Sequence, residues 1–330
     1  MNFLFRVDAG GEIGLGHFYR SVNLAKHLTK NGHNIIFIHL PSDFWNKLNK
    51  KEFKFAHYQL ESDIDQLDLV KEFLIEVFYV DGIIEFDKEL LDDLREYSKV
   101  VFYQNTSKSR HLCDLFILPS IHQREDFFKN FPDETAVYQG LEYFTFSETI
   151  EKFEKKPKPD IVSCISIMAG GSDPNDTLRV VYDLINFDAF DTIRFNFHYG
   201  KEYLFLDQVP KETPKRVTWL PFNLEEIYHS DMIISAFGVS TYEFLALSMP
   251  IISYGHQESN AKASNYLAKN TGALSSIGLF NEIDYNLINF RLEMLIKNKA
   301  EREKMIENAA KIIDLHGIER VMYLLENIEE

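Results

Sequence analysis

Residues 3–20 of the chain read FLFRVDAGGEIGLGHFYR. The apolar run Phe3–Val7 predicts a buried β-strand, and Ala9–Gly16 predicts a glycine-rich loop. Phe18–Asn31 carries apolar residues at helical spacing and stops before Gly32, a residue type that often follows a helix C-terminus. A strand, a glycine loop and a helix in this order are typical of the first unit of a doubly wound α/β sheet.

The same alternation of short apolar runs and amphipathic stretches continues along the chain, which predicts parallel strands joined by crossover helices. The pattern is interrupted at Glu148–Asp160, a charged stretch with two prolines, and then begins again with a strand at Ile161–Met168. The sequence therefore predicts two α/β domains, 1–150 and 151–330, that face each other across a cleft. The predicted strands are Phe3–Val7, Asn34–Leu40, Ile75–Val80, Lys99–Tyr103, Leu115–Leu118, Ile161–Met168, Thr192–His198, Arg216–Trp219, Met232–Ala236 and Pro250–Tyr254. Beyond Phe18–Asn31, the predicted helices are Lys88–Tyr97, Thr177–Ile185, Asn281–Asn298 and Ala300–His316.

The net charge of the 330 residues is 35 − 51 = −16, which disfavours binding to nucleic acid or to anionic lipid. Two cysteines cannot build a disulfide framework, and neither belongs to a CxxC pair. An arginine at position 6 precludes a signal-peptide core at this N-terminus, and no apolar run reaches the 18–20 or so residues that span a bilayer. We therefore expect a cytoplasmic protein without stable membrane insertion.

The first glycine loop places Gly14, Gly16 and His17 at the end of a strand and the start of a helix, where open α/β sheets bind ligands. The spacing matches neither GxGxxG nor a P-loop, which counts against a dinucleotide site. His17 is a candidate general base, or alternatively a histidine that only caps its helix. Asp8 and Arg20 either reach the cleft or form a structural ion-pair set with Arg6.

The second glycine loop repeats this arrangement before the helix Thr177–Ile185. Gly170 and Gly171 suit an anion site, and Asp173 either belongs to that site or, like Asn175, can cap the helix.

The third loop follows the strand Met232–Ala236, and its backbone N–H groups and hydroxyls suit a diphosphate. Glu243 either accepts hydrogen bonds from ribose hydroxyls or is only an acidic residue placed favourably on the first turn of a helix. The candidate residues in this loop are Phe237, Gly238, Val239, Ser240, Thr241 and Glu243.

The fourth loop contains His256, Gln257 and Asn260 and opens a helix at the predicted edge of the cleft. Phe222, after another strand, either stacks on a base or packs in the core, and core packing is the favoured interpretation.

These four loops together resemble the UDP-2,4-diacetamido-2,4,6-trideoxy-β-L-altropyranose hydrolases of pseudaminic acid biosynthesis. The first signature of that family, R-x-D-x-x-x-x-I-G-x-G-H-x-x-R, is matched at residues 6–20. The second, G-G-x-D, is matched at 170–173, and the third, I-S-A-x-x-x-x-x-E, is matched at Ile234–Ala236 and Glu243. The fourth, N-Q-E-S followed by L-A-K, is matched at Gln257–Ser259 and Leu267–Lys269.

The resemblance implies a glycosyltransferase-B-type (GT-B) fold with two Rossmann-like domains, the N-terminal one facing the sugar and the C-terminal one holding UDP. It implies that His17 directs water at the anomeric carbon, with inversion and with neither a metal nor another cofactor. Gly238–Thr241 would hold the diphosphate and Glu243 the ribose. The full set of predicted binding residues is Asp8, Gly14, Gly16, Arg20, Gly170, Gly171, Asp173, Phe237, Gly238, Val239, Ser240, Thr241, Glu243, His256, Gln257 and Asn260.

The chain departs from the family on the sugar-facing side. Gly82-Ile83 stands where the family has H-Y after an aspartate, Gln104-Asn105 stands where it has an aspartate pair, and His256 replaces an asparagine. The predicted function is therefore hydrolysis of a nucleotide sugar, with UDP as the expected nucleotide, in nonulosonic acid or surface-glycan synthesis. The alternatives are an inverting transfer to a glycan, lipid or protein hydroxyl, and non-catalytic binding of a nucleotide sugar. The sequence leaves the sugar and the oligomeric state open.

Overall fold

A computed structural model describes residues 1–10, 15–48, 53–62, 64–123, 125–155, 160–171 and 173–328. The chain forms two compact units. The first contains Met1–Lys152 together with Leu315–Glu330, and the second contains Phe153–Asp314.

Within the described ranges, the first unit is built on one parallel sheet of seven strands. These are β1 (Asn2–Val7), β2 (Asn34–His39), β3 (Ala56–Gln59), β4 (Val77–Asp81), β5 (Lys99–Tyr103), β6 (Leu115–Leu118) and β7 (Ala136–Gln139). Their spatial order is β3-β2-β1-β4-β5-β6-β7. Its helices are α1 (Gly16–Lys30), α2 (Asp43–Lys47), α3 (Asp65–Glu72), α4 (Lys88–Arg95) and α5 (Glu148–Glu151).

Both faces of this sheet are covered, as is usual for a parallel sheet with crossover helices. Along β1, Phe3 and Phe5 point into the core that packs against α1, and Leu4 points into the core on the opposite face. The helix α1 stops before Gly32, whose φ of +90° lies in the left-handed region that glycine tolerates, as predicted.

The described part of the second unit repeats the design with a six-stranded parallel sheet. Its strands are β8 (Cys164–Met168), β9 (Arg194–Tyr199), β10 (Val217–Pro221), β11 (Met232–Ala236), β12 (Ile251–Gly255) and β13 (Ser275–Leu279), in the order β10-β9-β8-β11-β12-β13. Its helices are α6 (Thr177–Leu184), α7 (Leu224–Tyr228), α8 (Val239–Ala246), α9 (Glu258–Thr271), α10 (Tyr285–Lys297) and α11 (Lys299–Ala310). The predicted α/β class with two parallel sheets is confirmed.

The last helix, α12 (Gly317–Glu326), returns to the first unit. Its apolar residues Ile318, Val321 and Leu325 lie in the core beside α1, and their helical spacing gives α12 the apolar face that this core covers. The predicted helix Ala300–His316 is therefore too long, because α11 ends at Ala310. The predicted second domain, 151–330, likewise included residues that the structure assigns to the first unit.

The sequence missed three strands, β3, β7 and β13. All three lie at sheet edges and carry polar or partly exposed residues. An edge strand does not need the continuous apolar run by which a central parallel strand is recognised.

Each sheet reverses its strand order at one place, between β1 and β4 in the first unit and between β8 and β11 in the second. Ligands of doubly wound sheets bind at the carboxyl ends of the strands at such a reversal. The described residues that directly follow β1, β8 and β11 leave the sheets at these two places.

Candidate active site

In the first unit, His17 is the second residue of α1 and lies beside Asp81, the last residue of β4. The distance between His17 Nδ1 and Asp81 Oδ1 is 2.9 Å. The imidazole keeps 21% of its side-chain surface exposed, whereas the Asp81 side chain is fully buried. One edge of the ring is thus held by a buried carboxylate, and part of the ring remains accessible.

Asp81 is also bound by two neighbours of His17 on the same helix. Arg20 Nε donates to Oδ2 at 2.8 Å, Arg20 Nη2 donates to Oδ1, and Ser21 Oγ donates to Oδ2 at 2.6 Å. Burial alone would raise the pKa of the Asp81 carboxyl, but the Arg20 charge and these hydrogen bonds hold that pKa well below its ordinary value. Asp81 is therefore a carboxylate at neutral pH, although water does not reach it.

Two tyrosines extend this cluster into the core. The Arg20 guanidinium lies 4.9 Å from the centre of the Tyr103 ring, and Thr145 Oγ1 donates to the Tyr103 hydroxyl at 3.1 Å. Burial raises the pKa values of Tyr79 and Tyr103, so both phenols are neutral. Among the described residues, the Tyr79 hydroxyl has no hydrogen-bond partner.

Gly82 lies directly against the imidazole. Its φ is +130°, and a Cβ added there would lie 3.8 Å from His17 Nδ1. The next residue, Ile83, is 67% exposed. Position 82 therefore contributes no side-chain atom to the Nδ1 edge of the His17 ring.

The structure divides the predicted set of Arg6, Asp8 and Arg20 into two separate ion pairs. Asp8 accepts from Arg6 Nε at 3.1 Å, from Arg6 Nη2 at 3.0 Å and from the Leu40 backbone N–H at 2.8 Å. Both carboxylate oxygens of Asp8 are thus engaged within the protein, and Arg20 is engaged by Asp81. Neither residue is placed as a free ligand group, which favours the structural alternative for both.

Of the two glycines predicted in this loop, Gly16 begins α1, and Gly14 lies outside the described residues, as does Ile13 of the matched signature.

In the second unit, a cavity of about 610 Å³ lies at the carboxyl ends of β8, β9 and β10. Phe222 and Leu206 lie in its wall and are 44% and 51% exposed. The favoured interpretation of Phe222 as a core residue is therefore wrong, because the chain leaves β10 at this point and the ring faces the cavity. The lining residues are Met168, Gly170, Gly171, Tyr199, Gly200, Lys201, Leu206, Pro221, Phe222 and Ser240.

The floor of this cavity needs glycine for two separate reasons. Gly170 has a φ of +90°, and Gly200 packs so closely that an added Cβ would lie 2.0 Å from the carbonyl oxygen of Gly171. The predicted loop thus contributes backbone to the cavity at Gly170 and Gly171.

The carboxylate of Asp173 is bound within the protein, at the start of α6. Its Oδ1 accepts from the N–H and the hydroxyl of Thr177 at 2.9 and 2.7 Å, and its Oδ2 accepts from the N–H of Leu178 at 3.0 Å. Both oxygens cap the start of α6, so the capping alternative holds for Asp173. Asn175 instead donates to the His256 carbonyl at 3.3 Å.

The loop after β11 brings the N-terminus of α8 to the cavity. Ser240 lines the cavity, Val239 is 43% exposed, and the first turn of the helix has no acidic residue. Thr241 is buried and its hydroxyl accepts from the Gly238 N–H at 3.2 Å, so Thr241 secures the loop. Phe237 is also buried and packs edge-on against Tyr242.

Glu243 is the fifth residue of α8 and not a first-turn residue as predicted, because the helix begins at Val239. Burial raises the pKa of Glu243 to about 7, and a hydrogen bond with Ser240 opposes that rise. The side chain retains part of its surface. Glu243 therefore changes protonation state close to neutral pH.

The fourth loop lies between β12 and α9. Asn260 donates from its side chain to the Phe237 carbonyl at 3.0 Å, which ties this loop to the one before α8. Gln257 is exposed, and His256 is half-buried, with a pKa lowered by burial and raised in part by Asp173.

The sequence missed Asp81, Tyr199 and Lys201 as site residues. Each of them lies at or just after the end of a strand, β4 for Asp81 and β9 for the other two. That position was the available signal.

A larger cavity, about 890 Å³, borders the C-terminal end of α1, at Lys26 and Lys30, and is remote from His17 at the other end of that helix.

Within the part of the chain that the structure describes, no group of three His, Cys, Asp or Glu side chains has the arrangement of a metal site. Over the same residues, no helix combines the length and the apolar character needed to cross a membrane.

No protein-family model matches the chain. Two curated relatives do. An uncharacterised protein of Methanocaldococcus jannaschii is 24% identical over 271 residues, which are 76% of this chain and 55% of the relative. The UDP-2,4-diacetamido-2,4,6-trideoxy-β-L-altropyranose hydrolase of Campylobacter jejuni is 25% identical over 190 residues, 56% of this chain and 66% of the relative. The chain thus spans between about half and two thirds of the lengths of these relatives.

Solved structures match over nearly the whole chain. MurG of Acinetobacter baumannii has a TM-score of 0.70 and 14% identity, covering 98% of this chain and 99% of its own. The glycosyltransferase VinC, in complex with dTDP, has a TM-score of 0.66 and 12% identity, covering 100% of both chains. MnaA of Staphylococcus aureus, solved with UDP, has a TM-score of 0.64 and 13% identity, covering 98% of this chain and 96% of its own. The fold is of the GT-B type. The predicted fold class is confirmed by these matches together with the two parallel sheets.

Proposed function

We propose that the protein is a nucleotide-sugar enzyme that cleaves the anomeric C–O bond of a UDP-linked amino or deoxy sugar, with water as the nucleophile. The observation that carries the proposal is the cavity of the second unit, which combines an aromatic wall, a lysine and a helix N-terminus at the carboxyl ends of the strands, beside the reversal of strand order between β8 and β11. The 25% identity to a UDP-sugar hydrolase and the GT-B fold support the same assignment.

The cavity suits a nucleoside diphosphate in shape and in chemistry. The exposed ring of Phe222 offers a face on which a base can stack, and its neighbour Tyr199 extends the aromatic wall. Lys201 and the N-terminus of α8 supply positive charge, and the backbone N–H of Ser240, in the first turn of that helix, supplies a donor for phosphate oxygens. We assign these groups to the base and the diphosphate of UDP.

Glu243 is assigned to the ribose. When it is ionised, its carboxylate accepts two hydrogen bonds, and paired ribose hydroxyls donate two. Ser240, which lines the cavity, precedes Glu243 by three positions on α8. Residues three apart on a helix lie on the same face, so Glu243 and Ser240 share one face of α8.

His17 is assigned as the general base. Its Nε2 takes a proton from water as the water oxygen bonds to the anomeric carbon, and the bond between that carbon and the phosphate oxygen breaks. UDP leaves with the bonding electron pair, and the sugar is released with inverted configuration. The N-terminus of α8 stabilises the charge that develops on the diphosphate.

The test is a panel of UDP-, GDP- and CMP-sugars scored for nucleotide release with water alone. Release from one class of UDP-sugar is the expected result. Nucleotide binding without release under any condition would replace the proposal with the alternative of a non-catalytic binding protein.

Transfer to a hydroxyl of a glycan, lipid or protein is the second candidate. The fold and a general base at His17 serve it equally well, because only the nucleophile changes from water to a hydroxyl. Nucleotide release that depends on an added hydroxyl acceptor would select this reaction over hydrolysis.

Replacing Phe222 by alanine is expected to weaken UDP binding by about 5- to 150-fold, the range for loss of one base–aromatic stacking contact. Stability should stay within about 0.5 kcal/mol of wild type, because Phe222 is 44% exposed. Isothermal titration calorimetry gives the affinity. The matched control is Phe290→Ala, since Phe290 is 53% exposed on α10 and does not line the cavity. Equal affinities for the two variants would remove Phe222 from the base site.

Replacing Glu243 by glutamine is expected to have two opposite effects. UDP affinity should fall by about 5- to 150-fold, because an ionised acceptor is lost. Stability at pH 8 should rise by about 1–3 kcal/mol, an amount reduced for the exposed part of the side chain. The sign follows from the pKa of Glu243, which folding raises from 4.5 to about 7, so the wild type loses stability as the pH rises through that window.

Urea denaturation at pH 4 and pH 8 measures the second effect, and the gain should vanish at pH 4, where the carboxyl is protonated in both states. Glu293→Gln is the control, because that residue lies exposed on α10. A stability gain of equal size at both pH values would contradict the assignment of the effect to ionisation.

A further inference from the structure

We propose that Leu206 covers the second face of the nucleotide base, so that the base lies between the Leu206 side chain and the ring of Phe222. The inference deepens the proposed function and rests on its assignment of the cavity in the second unit to a nucleoside diphosphate. A planar base has two apolar faces, and stacking on Phe222 covers one of them. Leu206 is then a binding residue that contacts the substrate directly.

Leu206 is the lining residue with the chemistry to cover that second face. It is 51% exposed in the wall of the cavity that Phe222 also lines. The other apolar lining residues are already engaged or lie elsewhere in the wall. Met168 is buried, and the Tyr199 ring stacks on another tyrosine of the protein. Pro221 directly precedes Phe222 and belongs to the same strand end.

The segment that carries Leu206 is anchored to the second unit by its own neighbours in the chain. The Glu202 N–H donates to the carbonyl oxygen of Gly171 at 3.1 Å. The Tyr203 side chain is buried, and its hydroxyl donates to Asp176 Oδ1. A wall that is held in place before the ligand arrives loses little conformational freedom on binding, which favours affinity.

Burial along this segment explains why Leu206 is presented to the cavity. Tyr203 and Phe205 pack in the core of the second unit, and the leucines that follow each of them, Leu204 and Leu206, remain 76% and 51% exposed. Among the described lining residues is Leu206 but not Leu204. The chain therefore offers two exposed leucines on one segment, of which one lines the cavity.

Leu206 and Phe222 reach the cavity from different connections of the sheet. The Phe222 N–H donates to the Tyr199 carbonyl at 2.8 Å, so Phe222 leaves β10 beside the end of β9. Leu206 lies seven positions after Tyr199 on the connection that follows β9. Two side chains that bound one cavity of about 610 Å³ from separate segments can contact different faces of one base.

The test is calorimetric titration of the whole protein with UDP. Leu206→Ala should weaken UDP binding by about 4- to 12-fold, the range for losing roughly half the burial of a leucine side chain. Leu206→Met keeps an apolar side chain of similar reach and should retain most of the affinity. Leu204→Ala is the matched control and should bind UDP as wild type does. Both alanine variants should unfold at the wild-type urea midpoint, because both leucines are exposed.

A double-variant cycle tests whether the two side chains hold the same base. Once Phe222 is replaced by alanine, the base is free to move away from Leu206, so the second replacement should cost less. The variant with both replacements should bind UDP at least about 2-fold more tightly than the product of the two single losses. Combining Leu204→Ala with Phe222→Ala should give the loss of Phe222→Ala alone.

Wild-type affinity for UDP in Leu206→Ala would overturn the inference, as would losses that multiply fully in the double variant. These results are separable from those that bear on the proposed function. A wild type that binds UDP but releases no nucleotide from any sugar loses the proposed reaction, while a loss confined to Leu206→Ala and coupled to Phe222 still supports the two-sided base site.

Discussion

Replacing His17 by alanine is expected to lower nucleotide release from the accepted UDP-sugar by about 10²–10⁴-fold, the usual contribution of a general base. The loss should appear in kcat, because the residue acts on the nucleophile. UDP affinity should stay at the wild-type value, since the nucleotide site we propose belongs to the second unit. Steady-state kinetics and calorimetry measure the two quantities.

His27→Ala is the control for this experiment. His27 lies on the same helix, its Nε2 is 3.3 Å from Glu151, and it is remote from Asp81. It should leave nucleotide release unchanged. Turnover at the wild-type rate in His17→Ala would remove the base assignment, and loss of UDP binding in that variant would point to a general defect of folding.

Replacing Arg20 by methionine is expected to destabilise the protein by about 3–5 kcal/mol at pH 7, because it leaves the buried carboxylate of Asp81 without its charged partner. The sign of the pH dependence follows from the lowered pKa of Asp81. In wild type, the ion pair contributes its full stability above the unfolded pKa of about 4 and loses it as the pH falls below that value. The difference between the variant and wild type should therefore shrink in acid.

Urea denaturation at pH 7 and at about pH 3, below the unfolded pKa of an aspartate, checks this prediction. Arg95→Met is the comparison, because the Arg95 side chain is 30% exposed and its ion pair should contribute about 1 kcal/mol or less. A loss below 1 kcal/mol for Arg20→Met, with the same dependence on urea, would mean that Asp81 is not held by this pair.

The central strands and the glycine loops were predictable from the sequence because their signals are local. A parallel strand covered on both faces needs a continuous apolar run, and a turn at a positive φ needs glycine. The predicted strands Lys99–Tyr103, Leu115–Leu118 and Met232–Ala236 have the observed bounds. The edge strands and the return of α12 were missed, because edge strands have no such run and nothing local states which core a helix joins.

The sequence alone does not decide the roles of the acidic residues in the loops. Three aspartates, Asp8, Asp81 and Asp173, each follow or end a strand near a reversal of strand order. Their spacing in the sequence does not distinguish a ligand-binding role from a structural one. In the structure, Asp8 pairs with Arg6, Asp173 caps α6, and Asp81 contacts His17. The difference lies in the partner that the fold brings near each carboxylate.

The sequence alone determined the α/β class, the two parallel sheets and the loops that are candidates for ligand binding. These features depend on apolar periodicity and on the placement of glycine, which are signals carried by a few neighbouring residues. Only the tertiary structure decided that His17 meets Asp81 and Arg20, that Phe222 faces a cavity, and that the last helix packs on the first unit. Those outcomes join residues that are distant along the chain, and they depend on strand order and burial, which no local pattern encodes.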